Sequence, residues 1–312
     1  MKKFVVSSPS WFPSSGGLTI LHKFVHTLNE LGYDAYIAPS LPQGKGWADP
    51  SFPHHSPSQY DKVKLVTPEV LNNLHDAIVI CSQAWLGNYL NAPNVVRWMM
   101  GIPDDFTMSL YGKNDFFFWY TPTFKNVIPL SYRKNLDNDL YLGEFNRDTY
   151  VDLGLERTIN TWTLRKAIGI DSHPVVSPKD YIHSPYDIFF GSLNPHAQEH
   201  GEMTDYRFTD DVPKLVEVLN RSKRFYSYDT ITFLNIQAVM CGADSILCPL
   251  KGMTIEEYHK GYELHKFIAF GINDIERARS IRDEFYPTMD MIEERSIKQI
   301  HEFVDKCYQH FK

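Results

Sequence analysis

RFYSYDTITFLNIQAVMCGADSILCPLKG, residues 224–252, sets two tyrosines, two aspartates, two threonines and a glutamine around an apolar run that ends in Cys-Gly. Strand-like RFYSYD and DSILCP flank TITFLNIQAVMCG, whose apolar residues recur at helical spacing until Gly242 stops it. The stretch reads as a strand, a helix and a strand. In a parallel sheet such a unit puts the helix start at the carboxyl ends of the strands, where unpaired N–H groups and the helix dipole favour an anion. Tyr228, Asp229 and Thr230, with Thr232, fall around that start, and Gln237 follows about two turns on. The plainer alternative makes Asp229 a helix cap and Gln237 a residue facing water.

The same alternation opens the chain. KFVVSS is a short buried strand, a loop follows with Pro9, Pro13, Ser14, Ser15, Gly16 and Gly17, and LTILHKFVHTLNELG is a helix closed by Gly32. YDAYIAP, DAIVICS and NVVRWMMGIP continue as strands. Leu41–Ser58, rich in Pro, Gly, His and Ser, reads as a long surface loop. In the second half RDTYVDLGLER is expected as a strand turning at Gly154, TINTWTLRKAIG as a helix, DIFFGSL as a strand and DDVPKLVEVLNRS as an amphipathic helix, with RFYSYD at a strand edge. The last 60 residues read as helical, MIEERSIKQIHEFVDKCYQHF being amphipathic. The expectation is an α/β protein of two Rossmann-like domains, residues 1–144 and 145–312.

Composition narrows the partners. With 312 residues, 43% hydrophobic and 22% charged, the chain is globular and long enough for two cores, and the 14% aromatic content offers stacking surface. A net charge of −7 attracts no phosphate backbone in general, so DNA ranks below a small-molecule partner. Cys81, Cys241, Cys248 and Cys307 have no C-x-x-C spacing and sit in apolar contexts, which predicts reduced, buried thiols. No apolar run approaches a membrane span and none makes a signal peptide, so a soluble, cytoplasmic protein is expected.

The segment FYSYDTITFLNIQAVMCGADSILCPLKGMTIEEYHKG resembles the donor-binding segment of nucleotide-sugar glycosyltransferases of the GT-B fold, and VVSSPSWFPSSGGLTILHKFVHTLNELGYDAYIAP resembles their first strand, glycine loop and helix. Together the two cover about a fifth of the chain. The resemblance implies two Rossmann-like domains facing across a cleft, an acceptor domain followed by a donor domain, with the C-terminal helix returning to the first. It implies metal-independent transfer of a sugar from a UDP- or GDP-linked donor to a hydroxyl acceptor, such as a carbohydrate or small molecule, with no cofactor. Two other readings stand beside it: a phage-type DNA-base glycosyltransferase, and a non-catalytic nucleotide-sugar-binding module.

Many retaining members carry two acidic residues eight positions apart here, the second holding the ribose hydroxyls. Those places fall on Asp229 and Gln237, so the second has lost its charge, and an amide oxygen binds a diol more weakly than a carboxylate. The diphosphate needs cations: Arg157, after Gly154, is the first candidate, with Arg165 and Lys166 behind it. Gly16 and Gly17 would let backbone approach the donor or acceptor. Asp104 and Asp105, in the GIPDDF loop, are the candidates for a catalytic base. Asp137-Asn138-Asp139 matches a short metal-binding D-x-D triplet, and the His22/His26 and His196/His200 pairs are spaced four apart, but neither pair has a glutamate directly after its first histidine, Glu199 standing next to His200 instead. Solvated or capping roles suit these three features better, and no metal site is expected.

Overall fold

A computed structural model describes residues 2–9, 11, 15–40, 58–163, 188–190, 211–230, 232–249 and 252–312. The expected loop at 41–57, the cations Arg165 and Lys166, and His196 and His200 lie outside the described residues. The chain divides into two compact units, residues 1–144 with 292–312, and residues 145–291.

In the first unit the order is β1 (Lys3–Ser8), α1 (Gly16–Glu30), β2 (Ala35–Pro39), α2 (Pro68–Asn72), β3 (Ala77–Ser82), β4 (Val95–Met99), α3 (Asp105–Ser109), β5 (Phe116–Trp119) and α4 (Pro122–Val127). The five strands form one parallel sheet in the order β2-β1-β3-β4-β5. Strands covered on both faces need apolar residues at successive positions rather than at alternate ones. Phe4, Val5 and Val6 in β1 and Ile78, Val79 and Ile80 in β3 are accordingly all buried. The run FFFW, which the sequence reading left without an element, is the edge strand β5.

The second unit holds β6 (Ile159–Thr163), β7 (Ile188–Phe190), α5 (Val212–Arg221), β8 (Ser222–Ser227), α6 (Leu234–Met240), β9 (Asp244–Leu247), α7 (Ile255–Gly261), β10 (Ala269–Phe270) and α8 (Ile275–Ser280). Its sheet is also parallel and runs β10-β9-β8-β6-β7. Read from β7, this is the strand order of the first sheet again. Two expectations change. Residues 151–158 carry no strand, and the strand is Ile159–Thr163, where a helix was expected. Two β-branched threonines decide it: Thr161 and Thr163 point into the core, and Thr161 Oγ1 meets Ser222 Oγ at 3.0 Å. β8 is central, not an edge.

The last helix, α9 (Phe285–His310), begins in the second unit, and from Ile292 onward its residues belong to the first. Ile300, Phe303, Val304, Cys307 and Phe311 enter the first unit's core, where the Phe303 ring meets Phe4, Phe24 and Phe118. The C-terminal helix does return to the first domain. All four cysteines are free and buried, and no described helix is long and apolar enough to cross a membrane.

Candidate functional site

An open parallel sheet binds ligands outside the carboxyl ends of its strands, where the strand order reverses. That point lies between β1 and β3 in the first unit and between β6 and β8 in the second. Three of these strands end on serine: Ser8 after KFVVS, Ser82 after AIVIC and Ser227 after SKRFY. A small hydroxyl at the end of an apolar strand is the sequence signal that marks this edge.

In the first unit the edge is built around Ser7. Its Oγ lies 2.6 Å from the Tyr89 hydroxyl and accepts from Trp85 Nε1. Burial pushes the Tyr89 hydroxyl well above its ordinary pKa. The loop carrying Trp85 and Tyr89 is held from below by Arg97, a fully buried residue of β4. Arg97 Nε donates to Asp115 Oδ2 at 2.6 Å, its other nitrogens donate to the carbonyls of Gly87 (2.6 Å) and Trp85 (3.4 Å), and the guanidinium lies 4.7 Å from the Tyr111 ring centre. Tyr111 in turn donates to the carbonyl of Gln83 at 2.6 Å. None of Ser7, Trp85, Tyr89 or Arg97 was singled out from sequence.

Gly16 and Gly17 begin α1, and Ser15 caps it by accepting from the Leu18 N–H. Both glycines are exposed, neither has a positive φ, and among the described residues a Cβ on either would meet nothing within 4 Å. The turn does not demand glycine there. The first helical turn carries no acid, so no side-chain carboxylate of α1 offsets its dipole end.

In the second unit Tyr228 N–H donates to the carbonyl of Thr163 at 3.0 Å, carrying the β6–β8 pairing one residue past the strand end. The chain then turns on Ser227, whose Oγ donates to the carbonyl of Asp229 (2.9 Å) and accepts from its N–H (3.2 Å). The turn buries Asp229 to 3% exposure beside the switch point, with the Tyr228 ring edge-on to Trp162. Thr230 is half-buried next to it. Asp229 does not cap the helix as the plainer alternative had it: α6 begins only at Leu234, its N-cap is Phe233, and no side chain caps it. Gln237 is therefore the fourth residue of α6, nearer the sheet edge than expected, and half-buried.

Arg157 is not brought to this edge. It precedes β6 and so sits at the amino end of a parallel sheet, opposite Ser227 and Asp229. Its guanidinium pairs with Asp152 at 2.8 Å and donates to the carbonyls of Asn220 (2.7 Å) and Cys241 (3.1 Å), at the last turn of α5 and the end of α6. It closes two helix C-termini, a structural role. Gly242 turns there with φ 85°, and a Cβ on it would collide with Arg157 and Asp152.

Asp104 and Asp105 follow β4 at the carboxyl edge of the first sheet, both exposed. Asp104 is the N-cap of α3, accepting from the Thr107 N–H at 2.7 Å, and that bond lowers its pKa, which disfavours the proton acceptance a base requires. Asp105 keeps no such tie. Of the rival motifs, Asn138 is buried and donates to the carbonyl of Phe117, Asp139 pairs with Lys125, His22 is buried against the carbonyl of Pro9, and His26 lies between Glu30 and Asp61. Among the described residues no group of three or more His, Cys, Asp or Glu is placed to hold a metal.

No protein-family profile matches the sequence, and neither does any curated protein. Solved structures do. An alpha-glucosyltransferase (AGT) in complex with UDP aligns over 99% of this chain and 96% of its own at 12% identity and a TM-score of 0.51. A UDP-N-acetylglucosamine 2-epimerase from Listeria monocytogenes (12% identity, 100% and 97% covered, TM-score 0.47) and T4 phage BGT with its UDP-glucose substrate (11%, 100% and 100%, 0.42) are more distant. The likeness over the whole chain shows the fold: GT-B, two Rossmann-like domains.

Proposed function

We propose that the protein transfers a sugar from a UDP- or GDP-linked donor to a hydroxyl acceptor. The observation that carries this is the repeated switch-point sheet, which aligns end to end with a glucosyltransferase whose structure holds UDP. In the reaction a glycosidic bond forms between the acceptor oxygen and the anomeric carbon. The bond from that carbon to the diphosphate breaks, and the acceptor proton passes to a base.

The donor belongs to the second unit's edge. Asp229, buried beside the β6–β8 switch, and Gln237, early in α6, are the candidates for the ribose hydroxyls, with Tyr228 and Thr230 next to Asp229 in the chain. Arg157 drops out of the diphosphate role. The connection leaving the carboxyl end of β6 after Thr163 begins Leu164-Arg165-Lys166, and its cations succeed to that role. In the first unit Gly16 and Gly17, at the first turn of α1, are the candidates for backbone contact with the donor or acceptor, and Asp105 is the remaining candidate base.

Titration calorimetry with UDP, GDP and their glucose conjugates, followed by donor turnover on a panel of hydroxyl acceptors, tests the reading. Saturable binding of one nucleotide, weakened about tenfold or more by Asp229→Asn, is expected. If neither nucleotide binds, the reading fails, and binding without turnover on any acceptor would make the chain a binding module.

A further inference from the structure

The carboxyl edge of the first sheet changes character from one strand to the next. At the switch point it is lined by hydroxyls, Ser7, Ser8 and Ser82. At β4 it turns apolar, through Met99 and Met100, and the chain then enters α3. Thr107 and Met108 of α3 face the core, whereas Ile102, Phe106 and Leu110, four residues apart, face out at 53%, 66% and 41% exposure. Large apolar side chains left in water beside a ligand edge mark a contact surface.

Charge restricts what can lie there. Within residues 102–110 the titratable groups are two carboxylates, Asp104 and Asp105, and the next cation along the chain is the exposed Lys113. The N–H of Thr107 keeps Asp104 ionised below the usual carboxylate range. Two exposed negative charges within a few residues of Phe106 repel a phosphate backbone and attract a cation.

We infer that Ile102, Phe106 and Leu110, with Asp104 and Asp105, select an acceptor that carries an apolar body and a positive charge. This rests on the glycosyl-transfer reading, which supplies the acceptor. The apolar body lies on the row, the cation meets Asp104, and the hydroxyl to be glycosylated is presented to Asp105. A phosphate-rich acceptor is disfavoured at this rim.

Two probes of one body and opposite charge test it: tyramine and p-hydroxyphenylacetate, titrated against the full chain by saturation-transfer NMR, with UDP titrated in parallel. Tyramine should bind about tenfold or more tighter than the anion. Phe106→Ser, at an exposed position, should weaken tyramine about tenfold. Asp104→Asn with Asp105→Asn, which keeps an amide cap on α3, should erase the preference between the probes while leaving the UDP titration unchanged. Equal binding of the two probes, binding of neither, or a preference that survives both variants overturns the inference. So does a dimer in sedimentation equilibrium that Phe106→Ser dissolves, which would give the face to a second copy, or salt-sensitive duplex DNA binding lost in the same variant. Failure of UDP to bind, with the probe preference intact, would instead overturn the transfer reading and leave the charge selection of the rim standing.

Discussion

Arg97 lies fully buried in the first unit and His265 half-buried in the second, within units of the same strand order, and they meet the loss of water by opposite means. Arg97 keeps its charge and is answered by Asp115, two carbonyls and the Tyr111 ring. His265 gives its charge up: it stacks on Tyr258 with ring centres 4.1 Å apart, its Nδ1 meets the Tyr258 carbonyl at 2.9 Å, and burial pushes its pKa down to about 4. Strand order fixes where the ligand edges lie, and it leaves open how each core handles its polar groups. The first unit buries an ion pair and the second partly buries a histidine whose pKa is pushed down, so perturbations should separate them.

The largest expected effect comes from halving the ion pair. Asp115→Ala leaves the Arg97 guanidinium buried without its carboxylate and should cost about 3–5 kcal/mol in urea unfolding. Arg97→Met with Asp115→Leu removes both charges and should recover most of that loss. If the double variant is as unstable as the single one, the pair is more than a structural tie for the loop bearing Trp85 and Tyr89.

Acid should act on the second unit first. The unfolded His265 takes a proton below about pH 6.5, while the folded one resists until about pH 4. The folded pKa is the lower one, so the unfolded state binds more protons in this window and stability falls as pH drops through it. The full shift corresponds to about 3 kcal/mol, and the part of the ring that remains exposed brings the expectation to about 2 kcal/mol. His259, also held below its usual pKa by burial and by Arg277, acts in the same direction, while Glu263 opposes. Hydrogen exchange at pH 7 and pH 5 should show protection lost around His265 and kept around Arg97. His265→Gln should flatten the dependence.

The two ends of the second sheet give a smaller contrast. Gly242→Ala forces a Cβ onto a residue at φ 85° and against Arg157 and Asp152, a cost of about 1–3 kcal/mol. Arg157→Ala, at a half-buried pair, should cost about 1–2 kcal/mol of stability by freeing the carbonyls of Asn220 and Cys241, and should leave UDP affinity within about twofold. A large loss of UDP binding in that variant would contradict its place at the amino edge.

That contrast also shows what the sequence could disclose. The alternation of strands and helices was readable, though not the strand order, because strands such as β1 and β3 are buried on both faces and α1 has a periodic face closed by a glycine. Asp229 was legible at the strand end for the same reason. Arg157 was misjudged because a one-dimensional reading took Gly154 as the turn after a strand, when the strand starts two residues beyond Arg157 and puts it at the other end of the sheet. The Ser7 cluster was invisible: Trp85 and Tyr89 lie 78 and 82 residues from Ser7 and meet it only because β3 pairs with β1.

The smallest effect sets a capped edge helix against an uncapped one. α3 is closed by the Asp104 carboxylate on the Thr107 N–H, whereas α6 begins at Leu234 behind Phe233 with no side-chain cap. Asp104 titrates below its ordinary value because that bond favours the ionised form. Its folded pKa is therefore the lower one, and its contribution is present above the ordinary carboxylate pKa of about 3.9 and lost as pH falls through the folded value. Asp104→Asn keeps a neutral acceptor for Thr107 and should remove this pH dependence while retaining most of the cap, whereas Asp104→Ala removes both. Thermal midpoints at two pH values, one near neutrality and one below the carboxylate range, read the difference. The gap between the parent chain and the Asn variant should close at the lower pH, and the gap to the Ala variant should narrow without closing. A gap to the Asn variant that persists in acid would mean that Asp104 stabilises α3 by something other than its charge on Thr107.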